Sequence, residues 1–384
     1  MLSRQTLRAM STQTPRGVSA ILQKNPDDVK GQLKDTPVDE MLYHLFKVQQ
    51  RLTPQKSMIF VVGTCHPPSP LYLSRAAALA AGFPHTVPIS TVNRLCSSGL
   101  MSIRNIAQGI KSGEITLGIA AGTDSMSLNP RPTPEISAVV SEHPEAHDCV
   151  QPMGWTSEMV AEAFKVPREK QDYYALISHT RASEASAKGI FADEIVPITV
   201  RGTTISVDDT IRPGVTAEGL AGLKSAFPNW GPSTTTAGNA SGVGDGAAIC
   251  KEGMEIIGKY VASTIVSVEP KYMGISPAIA IPKILEITGL TKEDVDVYEI
   301  NEAFASQFAY CVEELGIPIE KINPNGGAIA ISHPSWNECV SLYTYSGTRQ
   351  VRKDKKLLVT SMCIGSGMGA AGVFVNEARH EAKL

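Results

Sequence analysis

Residues 85–109 join an extended run to an amphipathic helix through a turn that carries a cysteine: Asn93-Arg94-Leu95-Cys96-Ser97-Ser98-Gly99-Leu100. Ahead of the turn, Pro88, Ile89, Thr91 and Val92 read as strand. Beyond it, Leu100, Ile103, Ile106 and Ala107 fall on one helical face. A strand that delivers straight into a helix constrains the chain to folds in which the two alternate. The junction also constrains chemistry. A thiol at a helix N-terminus feels the positive end of the dipole and unpaired backbone N–H groups. Both favour the thiolate, which is the nucleophile, and Ser97 and Ser98 are good cap formers. Taken alone, the turn also fits a buried structural cysteine, and that reading has the edge because cysteine is among the most buried residue types.

The rest of the chain repeats the alternation. Helical spacing covers 36–51, with Met41, Leu42, Leu45 and Phe46 on one face, and 73–82, which ends in Gly82. Short apolar runs at 60–63 and 115–121 read as strands. A change of texture follows over 128–235, richer in Pro, Ser, Thr and charge, with one clear helix over 168–188. The second half resumes with strand 259–266, helix 277–289, strand 295–300 and helix 302–316. Strands 357–360 and 371–375 then flank a loop at Cys363. The halves echo each other faintly, each with a reactive-type turn, a helix and an apolar strand. Pattern alone predicts α/β with about two domains.

Composition narrows the function class. A net charge of -3 leaves no electrostatic footprint for nucleic acid. Seven cysteines, an odd number with no C-x-x-C pair, suggest neither a disulfide framework nor a zinc site, and point to a reducing compartment. No apolar run approaches the roughly 20 residues that span a bilayer. Gly365-Ser366-Gly367-Met368-Gly369 invites a dinucleotide reading, but β-branched residues rather than a helix follow it, so a tight turn between strands is the better account. Cys65-His66 suits neither a metal nor a dyad and reads as loop.

Two further segments bear on Cys96. One is Tyr298-Glu299-Ile300-Asn301-Glu302-Ala303-Phe304-Ala305. The other is Asn323-Pro324-Asn325-Gly326-Gly327-Ala328-Ile329-Ala330-Ile331-Ser332-His333-Pro334, followed later by Met362-Cys363-Ile364-Gly365-Ser366-Gly367-Met368-Gly369. With Asn-Arg-x-Cys-Ser-Ser-Gly, these resemble the signature set of the thiolases, most closely the fungal peroxisomal 3-ketoacyl-CoA thiolases, and they stand in the family's order. Gln151-Pro152-Met153-Gly154, Arg212-Pro213-Gly214, Thr235-Thr236-Ala237-Gly238-Asn239-Ala240-Ser241 and Pro282-Lys283-Ile284-Leu285 extend the resemblance over most of residues 24–378.

The resemblance implies two similar α/β halves in a five-layered αβαβα arrangement with an inserted loop domain. The halves would be 1–127, of which 1–24 are tail or targeting segment and whose last strand returns at 236–255, and 256–384. The insert would be 128–235, binding CoA. It further implies thiolysis of a 3-ketoacyl-CoA by CoA in fatty-acid β-oxidation. Such a site must supply a soft nucleophile, two oxyanion pockets and a proton donor for the departing enolate. By family match, Cys96 becomes acylated and His333 activates it. Asn301 positions a water at one oxyanion, Cys363 is the acid/base, and the backbone N–H groups of Cys96 and Gly365 form the other hole. Ser241 approaches the pantetheine arm of CoA. No metal and no resident cofactor is implied, with CoA as co-substrate. The family also implies a homodimer.

Alternative activities are acetoacetyl-CoA condensation and a catalytically impaired acyl-CoA-binding chain. Ala382-Lys383-Leu384 resembles the peroxisomal Ser-Lys-Leu address and would engage the import receptor. Arg4, Arg8 and Arg16, with no acid before Asp27, offer a mitochondrial alternative.

Three stretches depart from the family. Val29 runs directly into Lys30, where a strand is expected; 249–252 is shortened; and the histidine loop reads Ser332-His333-Pro334-Ser335-Trp336 before the pattern resumes at Gly347. The family has glycine on both sides of its His-Pro-Leu. Ser332 carries a Cβ that disfavours positive φ, and Trp336 adds bulk.

Overall fold

The elements run β1 (Val18–Ile21), α1 (Val38–Val48), β2 (Met58–Gly63), α2 (Pro70–Ala80), β3 (Ile89–Val92), α3 (Ser98–Ser112), β4 (Leu117–Ser125), α4 (Met153–Ala163), α5 (Arg168–Ala187), β5 (Ile198–Val200), β6 (Thr203–Ile205), β7 (Asp245–Cys250), β8 (Gly258–Ser267), α6 (Ser276–Thr288), β9 (Val297–Ile300), α7 (Ala305–Leu315), α8 (Ala328–Ile331), β10 (Leu357–Ile364) and β11 (Met368–Asn376), with shorter helical turns between them. The computed structural model describes residues 18–21, 32–48, 58–65, 67–131, 134–192, 195–250, 258–333 and 356–376.

Five strands form one sheet in the order β1-β7-β4-β2-β3, and four form a second, β8-β11-β10-β9. Both sheets are mixed. β2 runs parallel to β3 and β4, and β9 parallel to β10, while β7 and β11 pair antiparallel with their neighbours.

The period-2 alternation of the strands sorts the helices into layers. Phe60 and Val62 of β2 and Ile119 and Ala121 of β4 face Met41, Leu42, Leu45 and Phe46 of α1 and Ala77 and Ala78 of α2. Val61 and Ala120, one residue out of phase, face Leu100, Met101, Ile103 and Ile106 of α3. The second sheet splits the same way. Leu358 and its cross-strand partner Phe374 meet α3, whereas Val359 and Val373 pack with Ala280, Ile281 and Ile284 of α6 and Phe308 of α7. Helix α3 is therefore buried between two sheets, and the layers stack as α1/α2, sheet, α3, sheet, α6/α7. This is the αβαβα arrangement implied by the resemblance. Each fully buried Leu or Ile of α3 contributes roughly 1.5–3 kcal/mol, so the helix that follows Cys96 is among the best anchored.

A glycine fixes where that helix begins. A Cβ on Gly63, the last residue of β2, would lie 2.4 Å from the carbonyl oxygen of Ser98. Only a residue without a side chain lets the start of α3 sit against the end of β2.

Some boundaries differ from expectation. The helix read from Glu302 starts at Ala305, because the backbone of 303–305 is taken by another strand-like segment: Ser241 N–H donates to Ala303 O, and Ala305 N–H to Asn239 O. The expected loop at Cys363 is strand, since β10 continues to Ile364 and turns only at Gly365. Val18–Ile21 fall within the stretch read as tail or targeting segment, and pair antiparallel with β7. The departures at 29–30, 251–252 and 334–352 lie outside the described residues, as do Trp336 and the terminal Ala382-Lys383-Leu384.

Candidate active site

Cys96 sits in a turn held by a dense set of hydrogen bonds. Leu95 takes φ 49°, a left-handed conformation uncommon for a non-glycine residue. Asn93 Oδ1 accepts from Leu95 N–H at 2.9 Å, Ser98 Oγ accepts from Arg94 N–H at 3.0 Å, and Ser98 O–H donates to Leu95 O at 2.7 Å. Ser97, expected as a capping side chain, occupies the N-cap without a side-chain cap bond, and the stabilising hydroxyl is that of Ser98. Cys65 braces the turn from behind. Its Sγ lies 3.1 Å from Leu95 O and 3.3 Å from Ser98 Oγ, its carbonyl accepts from Asn93 Nδ2 at 3.3 Å, and its N–H donates to the buried Asp124. The sequence reads Cys65-His66 as a loop suited to neither a metal nor a dyad, and gives no sign of this bracing contact.

The turn opens on a cavity of about 510 Å³, in the usual range for small-molecule sites. Cys96, His333, Gly365 and Ser241 all line it. Each arrives by a different route. His333 follows α8, and its N–H donates to Gly242 O at 2.7 Å in a short parallel bridge to Val243. Ser241 is tied to Ala303 O by both its N–H, at 3.0 Å, and its hydroxyl, at 2.9 Å. Gly365 begins the turn after β10, and a Cβ there would come within 3.1 Å of the Leu95 side chain, so that turn packs on the cysteine turn.

Asn301 stands at the end of β9, its N–H donating to Ser361 O at 2.9 Å. Its Nδ2 is 3.4 Å from His333 Nε2. Cys363 is fully buried behind the cavity wall, packed with Met273 and Ala303 and the partly buried Met153 and Phe304. Its thiol donates to Gln307 Oε1 at 3.4 Å. Burial, reinforced by Cys96 and Cys311, holds the Cys363 thiol well above the ordinary range, against an opposing hydrogen bond from Asn301. Cys363 is thus a protonated thiol at neutral pH, able to deliver a proton.

Glu302 points away from the cavity. Its buried carboxylate accepts from Ser178 Oγ at 2.5 Å, Asn323 Nδ2 at 2.8 Å and Ile329 N–H at 3.2 Å. A Cβ on Gly327 would stand 2.3 Å from the Glu302 carboxyl carbon, so this glycine before α8 lets the chain close over that group. Glu302 therefore positions α8, and through it His333.

The two halves of the chain match the two halves of one family. Residues 27–250 match Thiolase, N-terminal domain, and residues 254–376 match Thiolase, C-terminal domain. The chain belongs to the thiolase family. It is 45% identical over 373 residues to 3-ketoacyl-CoA thiolase 1, peroxisomal, of Arabidopsis thaliana, covering 90% of this chain and 84% of that protein. It superposes on the dimeric peroxisomal thiolase of Saccharomyces cerevisiae with a TM-score of 0.87 at 37% identity, covering 96% of this chain and 100% of the other. Human mitochondrial 3-ketoacyl-CoA thiolase in complex with CoA gives a TM-score of 0.80 at 32% identity, covering 94% and 96%.

In this thiolase Ser332 takes φ 78° and ψ 165°, a region essentially confined to glycine, and it does so while buried. The Cβ that disfavours positive φ does not prevent it. The strain is carried directly beside His333. Cavity-lining residues to which sequence reading assigned no role include Met126, Arg131, Gln151, Met273 and Phe304. Gln151-Pro152-Met153 stood out as a motif, but nothing in its spacing pointed to the cavity. Among the described residues no helix is long and apolar enough to cross a membrane.

Proposed function

We propose that this thiolase cleaves 3-ketoacyl-CoA with CoA, releasing acetyl-CoA and a chain-shortened acyl-CoA, as a step of peroxisomal fatty-acid β-oxidation. The observation that carries the reading is the convergence of Cys96, His333, Gly365 and Ser241 on one cavity, with Asn301 against His333 and a protonated Cys363 behind the wall. In this mechanism the Cys96 thiolate attacks the 3-keto carbon, with its proton taken by His333. The carbon–carbon bond breaks, the acyl group stays on Cys96, and the enolate of acetyl-CoA takes the Cys363 proton. Cys363 then removes the proton of the incoming CoA thiol, whose sulfur attacks the acyl-cysteine and frees Cys96. N–H groups of Cys96 and Gly365 face one oxyanion, and His333 with an Asn301-held water faces the other.

Residues 128–235 and Ser241 would seat CoA, which is a co-substrate. Support comes from Ser241 in the cavity wall and from a structural neighbour described in complex with CoA. A homodimer is the proposed assembly, in keeping with the dimeric yeast neighbour. Peroxisomal import through Ala382-Lys383-Leu384 agrees with the peroxisomal relatives.

The test is a thiolysis assay on purified protein with acetoacetyl-CoA and a long-chain 3-ketoacyl-CoA, followed by mass spectrometry. Acyl mass on the Cys96 peptide is expected. No thiolysis of either substrate, or acyl mass on another cysteine with Cys96 clean, would overturn the reading.

A further inference from the structure

Among the described residues that line the cavity holding Cys96, the permanent cation is Arg131, from the loop after β4. Much of the wall around it is apolar: Leu95, Met126, Val150, Met153, Met273 and Phe304. A guanidinium carries five donors, and among the described residues this one makes a long hydrogen bond, Nη2 to Gln151 O at 3.5 Å. A cation half-withdrawn from water calls for an anion nearby. Burial draws Arg131 below its ordinary range, and Cys96 is the group that opposes this.

Other ionisable groups of the cysteine turn and the cavity, among the described residues, have the following partners. Cys363, on β10, is held protonated. Cys65, from the loop after β2, turns its thiol to Leu95 O. Arg94, within the turn, directs Nη1 to Met368 Sδ at 3.7 Å. His333, from the segment after α8, must shed a proton to act again as base.

We propose that Arg131 is the electrostatic partner of the Cys96 thiolate, a positioning residue that keeps the sulfur ionised while His333 is neutral. This rests on Cys96 being the nucleophile of the proposed function. The proton leaves Cys96 for His333 and then for solvent. The thiolate survives that second transfer because its counter-charge is a guanidinium, which does not deprotonate in the working pH range.

The test is the rate of alkylation of Cys96 by iodoacetamide as a function of pH, read on the Cys96 peptide by mass spectrometry. The reagent is uncharged, so residue 131 does not steer it. In Arg131→Met the midpoint should move up by roughly one pH unit, with the plateau rate at high pH unchanged, and Arg131→Lys should restore the midpoint. Arg131→Gln replaces the Met variant if the latter loses its native circular dichroism. Coincident midpoints in wild type and neutral variants would overturn the proposal. So would an unshifted midpoint with weakened CoA binding, which would make Arg131 a substrate contact only. Alkylation needs no turnover, so a wild type without thiolysis would defeat the functional reading and leave the midpoint comparison intact.

Discussion

Asn301 Nδ2 lies 3.4 Å from His333 Nε2, where the end of β9 meets the segment that follows α8. The contact couples the Asn-Glu-Ala-Phe segment to the histidine segment, and the same asparagine hydrogen-bonds toward Cys363. One amide thereby orders two groups of the site. Replacing it by Ala should lower kcat by roughly 10²-fold, the scale of losing one oxyanion-hole contact, with the circular dichroism spectrum unchanged. Steady-state kinetics on a 3-ketoacyl-CoA checks this, and an unchanged kcat would remove Asn301 from the site.

The two site cysteines should differ sharply in reactivity. Cys363 is fully buried and held protonated, whereas Cys96 lines the open cavity. Brief iodoacetamide treatment at neutral pH should label Cys96 and spare Cys363. Cys363→Ala should reduce kcat by roughly 10²–10⁴-fold, the usual scale of general acid–base catalysis. Peptide mapping of the folded protein decides the first point, and rapid labelling of Cys363 would contradict its burial.

Ser332→Gly should stabilise the protein. The serine holds φ 78° and ψ 165°, and such strain costs on the order of 1–3 kcal/mol. The added freedom of glycine in the unfolded chain offsets roughly 0.5–1 kcal/mol of the gain. A net increase of about 1 kcal/mol is expected from urea unfolding, with kcat equal or higher because His333 is then reached without strain. A destabilised variant would show that the serine hydroxyl contributes more than the backbone strain costs.

Glu302 makes stability depend on pH in a specific direction. Burial holds its carboxyl above the ordinary range, against Ser178, Asn323, the N–H of Ile329 and Arg181. The folded protein therefore keeps this proton more tightly than the unfolded chain does. Its contribution is fully present below the unfolded value, about 4.3, and is lost as pH rises through the folded value. Urea midpoints measured over that window should fall with pH in the wild type relative to Glu302→Gln, which cannot ionise. Parallel slopes in the two proteins would show that the donors outweigh burial.

Much of this molecule was legible in local sequence. The strand–turn–helix around Cys96 follows from β-branched residues, turn residues and a 3.6-residue apolar period, all set within a dozen neighbours. The signature motifs marked Cys96, Asn301, His333, Cys363, Gly365 and Ser241 as one family set. Tertiary structure decided the rest. Periodicity does not say that α3 lies between two sheets; that depends on β2 and β10 presenting opposite faces to it. Asn301 and His333 meet only because the fold brings the segment after β9 to the segment after α8, with Glu302 bonded to Asn323 and to Ile329 at the joint. Arg131 and Cys65 carry no motif; Arg131 shares the cavity wall with Cys96, and Cys65 meets the cysteine turn from the loop after β2, and both placements arise where separate loops close together. The upward shift of the Cys363 thiol and the Glu302 carboxyl is likewise a property of burial, which no run of neighbouring residues encodes.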